Sequence, residues 1–216
     1  MNNLFFCKNK LENFLDKIEL NLSNKTVLTE AASGPYAVTA ILAAMAGAKV
    51  YAFSKDTKYG TIKEVFLENI ELTEKYKLNN IHLIDQLTPE ILSEVDIITN
   101  SGHLRPLDEE KLKYTKKGVV IPLMYESWEL REEDIDMKFC QQRKVSIAGT
   151  NERHPNIDVF NYTGDMAIKL IFDSGKCLYN NSFVLISNND FGPFIAKAVS
   201  KLCSKLGVID LEKNKK

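Results

Sequence analysis

Apolar and polar positions along this chain switch regularly between two periods. Short apolar runs at residues 26–29, 49–53, 81–84, 95–99, 118–123, 145–148 and 183–187 predict strands. Between most of them, apolar positions three or four apart predict helices at 36–46, 61–76, 89–93, 108–114 and 158–172. Ahead of the first strand, Leu4, Phe5, Leu11, Phe14, Leu15 and Ile18 recur at the same spacings over residues 4–20. This predicts an amphipathic lead-in helix that docks on the sheet or on a partner subunit. Strands alternating with helices give an α/β class: a doubly wound, mostly parallel sheet with helices on both faces. The consecutive apolar residues Val119, Val120 and Ile121 fit a strand covered on both sides.

The run from Lys25 to Ser54 is the most informative stretch. An apolar strand, a small-residue turn, an Ala-rich helix and a second apolar strand follow one another, which is how a Rossmann-like nucleotide-binding sheet begins. A weaker echo comes later, where Val184-Leu185-Ile186-Ser187 leads to Gly192-Pro193-Phe194 and a helix expected to end near Leu206. Two readings of the echo stand: a closing strand and helix packed back onto the first sheet, or the opening of a second domain completed elsewhere. The expected organisation is a lead-in at 1–24, a Rossmann-like domain at 25–180 and a strand–helix appendage at 181–216. No linker rich in Gly, Ser or Pro interrupts it before the Lys-rich tail at 213–216.

Composition narrows the function classes. Of 216 residues, 44% are hydrophobic and 26% charged, ordinary for a globular chain able to bury a core. Twenty-eight basic and 29 acidic residues give a net charge of −1, so neither nucleic acid nor a membrane surface is an expected partner. Cys7, Cys140, Cys177 and Cys203 are scattered, without a Cys-x-x-Cys pair. There is no leader pattern at the N-terminus and no apolar run of the ~18 residues a membrane helix needs. Reduced thiols, each serving as a small buried hydrophobe in a cytoplasmic protein, are expected. No close pair of histidines suggests a metal site.

Candidate chemistry gathers after the strands, because the ligand crevice of a doubly wound sheet lies at their carboxyl ends. The first turn, Ser33-Gly34-Pro35-Tyr36, lacks the Gly-x-Gly-x-x-Gly spacing and has only Gly34 at its bend. Pro35 stands where a missing amide is harmless, and the amides from Tyr36 onward, with the Ser33 hydroxyl, suit a diphosphate or a carboxylate. A plain strand-to-helix turn is the alternative. Glu30, just before it, suits a ribose or an amino group and repels a phosphate. Ser54 stands 20 residues after Gly34, where NAD-binding proteins hold the adenosine ribose. There Ser54-Lys55 suits the 2′-phosphate of NADP, Asp56 keeps NAD open, and a solvated charged turn is the alternative.

After the fourth predicted strand, Asn100, Ser101 and Gly102 offer hydrogen bonds and close backbone approach to the cofactor. His103 brings a titratable group and Arg105 an anion fork. A surface histidine and a helix cap at Asp108 are the alternatives. After the fifth, Glu126 and Glu129 flank Trp128, the only tryptophan. They form an acid/base pair or a grip on an amine or sugar, sharing one face if helical, or else Glu129 merely opens the acidic run at 131–134. After the sixth, Asn151, Glu152 and Arg153 form a substrate-binding turn with His154. In this scheme His103 or His154 moves the proton, Arg105 or Arg153 clamps an anion, and Glu126 contacts a hydroxyl or amine. His82 starts a strand at the opposite edge and reads as structural.

The order of elements, with the segments 99–108 and 118–123 and the Lys-Lys-Gly-Val-Val-Ile strand at 116–121, resembles the cofactor domain of the D-2-hydroxyacid dehydrogenase group over about residues 25–175. The resemblance implies an NAD(P)-dependent oxidoreductase acting on a small polar metabolite, with a homo-oligomer or a partner chain completing the site. Residues 27–37 followed by 48–56 are also similar to the opening of S-adenosylmethionine-dependent methyltransferases. Those carry an acidic residue at the end of the second strand, where this chain has Ser54 and, two residues on, Asp56. A nucleotide-sensing or assembly subunit without turnover is the third class.

Overall fold

A computed structural model describes residues 7–58, 60–155 and 157–210, and the chain divides into two compact units, one up to Thr150 and one from Asn151. Leu4, Phe5 and the tail at 213–216 lie outside the described residues. The first unit runs α1 (Lys8–Lys17), β1 (Thr26–Glu30), α2 (Val38–Met45), β2 (Lys49–Phe53), α3 (Ile62–Tyr76), β3 (Ile81–Ile84), α4 (Pro89–Glu94), β4 (Ile97–Ile98), α5 (Glu109–Leu112), β5 (Val120–Glu126), α6 (Met137–Arg143) and β6 (Ser146–Thr150). Its six strands pair in parallel in the order β3-β2-β1-β4-β5-β6. This is the Rossmann-like doubly wound order, with the winding reversed between β1 and β4.

Period-2 alternation sends neighbouring side chains of β1 to opposite faces. Val27 joins Ala40, Ala43, Ala44 and Val50, while Leu28 joins Ile98, Leu104, Val119 and Ile121. The alanines of α2 let that helix lie close on β1 and β2, so both faces of the central strand are sealed. The lead-in helix uses only half of its apolar face. Leu15 is buried and Leu11 packs beside Ala37, Ile41, Leu72 and Tyr76, whereas Phe14 and Ile18 stay 48% and 47% exposed.

α6 forms just after the acidic run at 131–134, in a stretch where the sequence pattern predicts no helix. The Asp136 carboxylate caps it, accepting the Phe139 N–H at 2.9 Å, and the helix buries Cys140 in the core. Burial, with Asp136 nearby, pushes the Cys140 thiol up to about 11. The expectation of buried thiols holds for Cys140 alone, since Cys7 and Cys177 are exposed and Cys203 is half-buried. No described helix is long and apolar enough to cross a membrane.

The second unit holds α7 (Val159–Asp173), β7 (Ser182–Ser187), α8 (Phe191–Val199) and β8 (Lys205–Asp210). β7 pairs in parallel with β8 as a separate two-stranded sheet, so it is not a closing strand of the six-stranded one. The helix expected to reach Leu206 stops at Val199. Gly207 followed by the β-branched Val208 and Ile209 favours an extended chain there. α7, grouped by the sequence with the first domain, packs on α8 instead. Phe160 stacks on Phe191 at 4.9 Å and tilts against Phe194 at 5.4 Å, and a Cβ built on Gly164 would stand 2.5 Å from that of Ala198.

Candidate functional site

Because the winding reverses between β1 and β4, the loops leaving their carboxyl ends diverge and open a crevice. A cavity of about 370 Å³ occupies it, lined by Glu30, Ala32, Ser33 and Tyr36 at the first turn, Thr57, Gly60 and Val65 after β2, and His103 after β4. Glu30 Oε2 accepts the His103 backbone N–H at 3.0 Å. Gly102 lies beside that carboxylate: a Cβ there would stand in ordinary contact, 3.5 Å from Glu30 Oε2 and 3.8 Å from Arg105 Nη2. His103 Nδ1 is buried and has no hydrogen-bond partner.

α3 clamps the first turn. Buried Asn69 donates to the Ala32 carbonyl at 2.9 Å, and Glu68 Oε1 accepts the Gly34 N–H at 2.8 Å. Gly34 itself has φ +58° and open space where a Cβ would stand, so it is kept by its backbone conformation and not by crowding. Sequence reasoning misses both Glu68 and Asn69. The signal for Asn69 is a polar residue inside the apolar stripe of α3 formed by Val65, Leu72 and Tyr76. Glu68 leaves none.

The other expected residues have identifiable surroundings. Ser54 is fully buried with an unpartnered hydroxyl, Lys55 is exposed, and Asp56 Oδ1 accepts the Ile62 N–H at 2.8 Å at the start of α3. Asn100 and Ser101 are buried, and the Asn100 Nδ2 has no hydrogen-bond partner. Asn100 Oδ1 takes the Met124 N–H at 2.7 Å, and Ser101 shares a 2.9 Å bond with Thr99, which in turn donates to Thr29. Arg105 pairs with buried Asp134 at 3.2 Å, and the Tyr125 hydroxyl donates to the same carboxylate oxygen at 2.8 Å. Burial alone would raise the Asp134 carboxyl, but Tyr125 and Arg105 together hold it below its ordinary value.

Glu126 ends β5, is buried, and accepts the indole N–H of the exposed Trp128. Glu129 lies in the 3₁₀ turn Ser127–Glu129, so the two carboxylates share no helical face. Asn151, Glu152, Arg153 and His154 belong to the second unit. There Arg153 pairs with Asp190 and lies 4.5 Å from the centre of the Phe160 ring, and Asn151 Oδ1 accepts the Arg153 N–H at 3.1 Å. The His154 carbonyl accepts from Ile157 and Asp158, and a separate cavity of about 280 Å³ borders Glu152 and Arg153. His82 pairs with Tyr51 within the sheet and its ring lies 5.5 Å from that of Tyr51. No cluster of metal ligands occurs among the described residues.

The dinucleotide that this fold suggests meets a specific obstacle. Of the turn's first amides, Gly34 is already bonded to Glu68 and Pro35 has none. Glu30 places a carboxylate on the cavity wall. A ligand charge 5 Å from one carboxylate meets about 3 kcal/mol of repulsion at an effective dielectric of about 20. A helix N-terminus offers an anion only about 0.3–1 kcal/mol, up to about 2 when partly buried. At that distance the carboxylate opposes a phosphate by more than a helix N-terminus attracts it.

The sequence matches no protein-family model and no curated protein. Among solved structures, the dipicolinate synthase A chain of Bacillus halodurans superposes with a TM-score of 0.55 at 12% identity, over 87% of this chain and 62% of that one. The A chain of dipicolinate synthase from Bacillus subtilis gives 0.52 at 11% identity, over 88% and 62%. Shikimate 5-dehydrogenase from Listeria monocytogenes, solved with shikimate and NAD, gives 0.46 at 14% identity, over 65% and 50%. The chain thus spans 62% of the length of either dipicolinate synthase chain. None of these matches singles out the D-2-hydroxyacid dehydrogenase group. At these identities the likeness is one of fold: the chain carries a Rossmann-like α/β sheet of the kind found in NAD(P)-binding domains.

Proposed function

We propose that the first unit binds an adenosine-containing cofactor in the cavity where β1 and β4 diverge. With it, the protein acts on a small polar metabolite, as an oxidoreductase or a group-transfer enzyme. The observation that carries this reading is the all-parallel order β3-β2-β1-β4-β5-β6, which opens one crevice at its reversal, together with the cavity found there. The exposed Tyr36 ring and Val65 offer apolar surface to a base, and Glu30 and Ser33 offer partners to hydroxyl or amino groups. His103 is the imidazole at this cavity and the group assigned to proton transfer. Arg105 is a positioning residue, because its charge is spent on Asp134.

NADP or NAD, the cofactors expected from the sequence, retain the support of the fold and of exposed Lys55 at the end of β2. The clamped first turn opposes their diphosphate. A thermal-shift series on the full chain with adenosine, NAD, NADP and S-adenosylmethionine tests the proposal. A ligand at 100 times its Kd stabilises the folded state by about 2.7 kcal/mol, so at least one of these compounds is expected to raise Tm by several degrees. Failure of every adenosine-containing compound to do so would overturn it.

A further inference from the structure

We infer that the cavity selects an adenosyl compound carrying a cation over the first turn, a sulfonium or an ammonium, in place of a diphosphate. This rests on the proposed function and narrows its ligand class. The first observation is that the turn is closed by the protein's own anion: Glu68 occupies the Gly34 N–H at 2.8 Å, and Asn69 fixes the Ala32 carbonyl beside it. α3 therefore supplies, from within the fold, the negative charge that a phosphate would bring. The second is Glu30, which stands at the carboxyl end of β1 and on the cavity wall, with Oε2 bonded to the His103 N–H and the side-chain-free Gly102 beside it.

Arg105, the cation beside Gly102, forms no salt bridge with that carboxylate; its guanidinium pairs with Asp134. Glu30 thus keeps capacity for a donor or a cation from the ligand. The third observation is the exposed Tyr36 ring, 74% accessible and on the same wall, where an aromatic face attracts a sulfonium or ammonium as readily as it stacks a base. An acidic residue, a turn whose Gly34 amide is already taken by a carboxylate and an aromatic rim agree on the sign of the charge they would accept.

Isothermal titration of the full chain with S-adenosylmethionine, S-adenosylhomocysteine, adenosine, NAD and NADP tests the inference. S-adenosylmethionine is expected to bind at least about 10-fold more tightly than adenosine, as for a charge-assisted hydrogen bond, and more tightly than either dinucleotide. Glu30→Gln is expected to remove about that factor for S-adenosylmethionine while leaving adenosine within about 2-fold, with folding checked by circular dichroism. Because a change at Glu30 also touches the His103 loop, Glu68→Ala provides an independent measure. It frees the Gly34 amide and is expected to raise NAD affinity and lower that for S-adenosylmethionine. NAD or NADP binding the unmodified protein as tightly as S-adenosylmethionine would overturn the inference while leaving the cofactor-binding reading intact. Absence of binding by every adenosine compound would overturn both.

Discussion

Asp134 is buried between the Arg105 guanidinium and the Tyr125 hydroxyl, and its worth can be read from that arrangement. Hydrogen bonds to a charged group contribute about 1.5–3 kcal/mol, so Asp134→Asn is expected to destabilise the chain by that amount in urea unfolding at pH 7. The carboxyl is held below its ordinary value in the folded state, so its contribution is complete above the unfolded value near 3.9 and fades as pH falls through the lower folded one. The stability gap between wild type and variant should therefore be constant from about pH 5 to 7 and shrink below about pH 4. A gap unchanged to pH 2 would show that the charge is not what the pair contributes. Glu30 and His103 are visible in the sequence because one ends β1 and the other follows β4. The carboxylates that hold the neighbouring Gly34 and Arg105 are not: Glu68 and Asp134 reach them from 34 and 29 positions away, a proximity that only the fold creates.

Elements are legible where local chemistry and period agree. α3 begins at a Thr61 cap with Glu64 answering it in a reciprocal box, and its apolar stripe, interrupted only by Asn69, runs to Tyr76. β8 is hidden because its six residues follow directly on a helical pattern, and α6 because an acidic run masks the Asp136 cap. The contact between α7 and α8 is invisible for a different reason. Gly164 looks like a weak point in a helix, yet it is where the helices touch: a Cβ there would meet Ala198 Cβ at 2.5 Å and the Phe194 carbonyl oxygen at 3.1 Å. Backbone cannot yield as a flexible side chain can, so Gly164→Ala should cost about 1–3 kcal/mol from overpacking, against the gain of about 1 kcal/mol that alanine gives an uncrowded helix. Chemical denaturation followed by helical circular dichroism would measure it. A stabilised variant would mean that the two helices sit too far apart for this contact.

At the scale of the molecule, alternation of strand and helix is enough to read a doubly wound sheet, because parallel strands covered on both faces leave long apolar runs that a sequence displays openly. What it cannot display is where a sheet remains uncovered. β7 and β8 are parallel and two strands wide, with α8 packed against both. Parallel sheets are ordinarily covered on both faces, and a two-stranded sheet is marginal alone. Here period-2 alternation leaves Val184 and Ile186 on one face of β7 at 65% and 63% exposure, with Ile209 of β8, in register with Ile186, at 40%. Such a patch should bind a hydrophobic dye without contributing much to stability. The double variant Val184→Thr, Ile186→Thr keeps the β-branched shape that suits a strand, so its unfolding free energy should stay within about 1 kcal/mol of wild type, since surface substitutions cost about 0.5 kcal/mol each or less. Its anilinonaphthalene sulfonate fluorescence in native buffer should fall clearly below that of the parent. Equal fluorescence combined with a loss of about 3 kcal/mol or more would place these side chains in a core, since that is the scale of losses seen when buried apolar packing is disrupted.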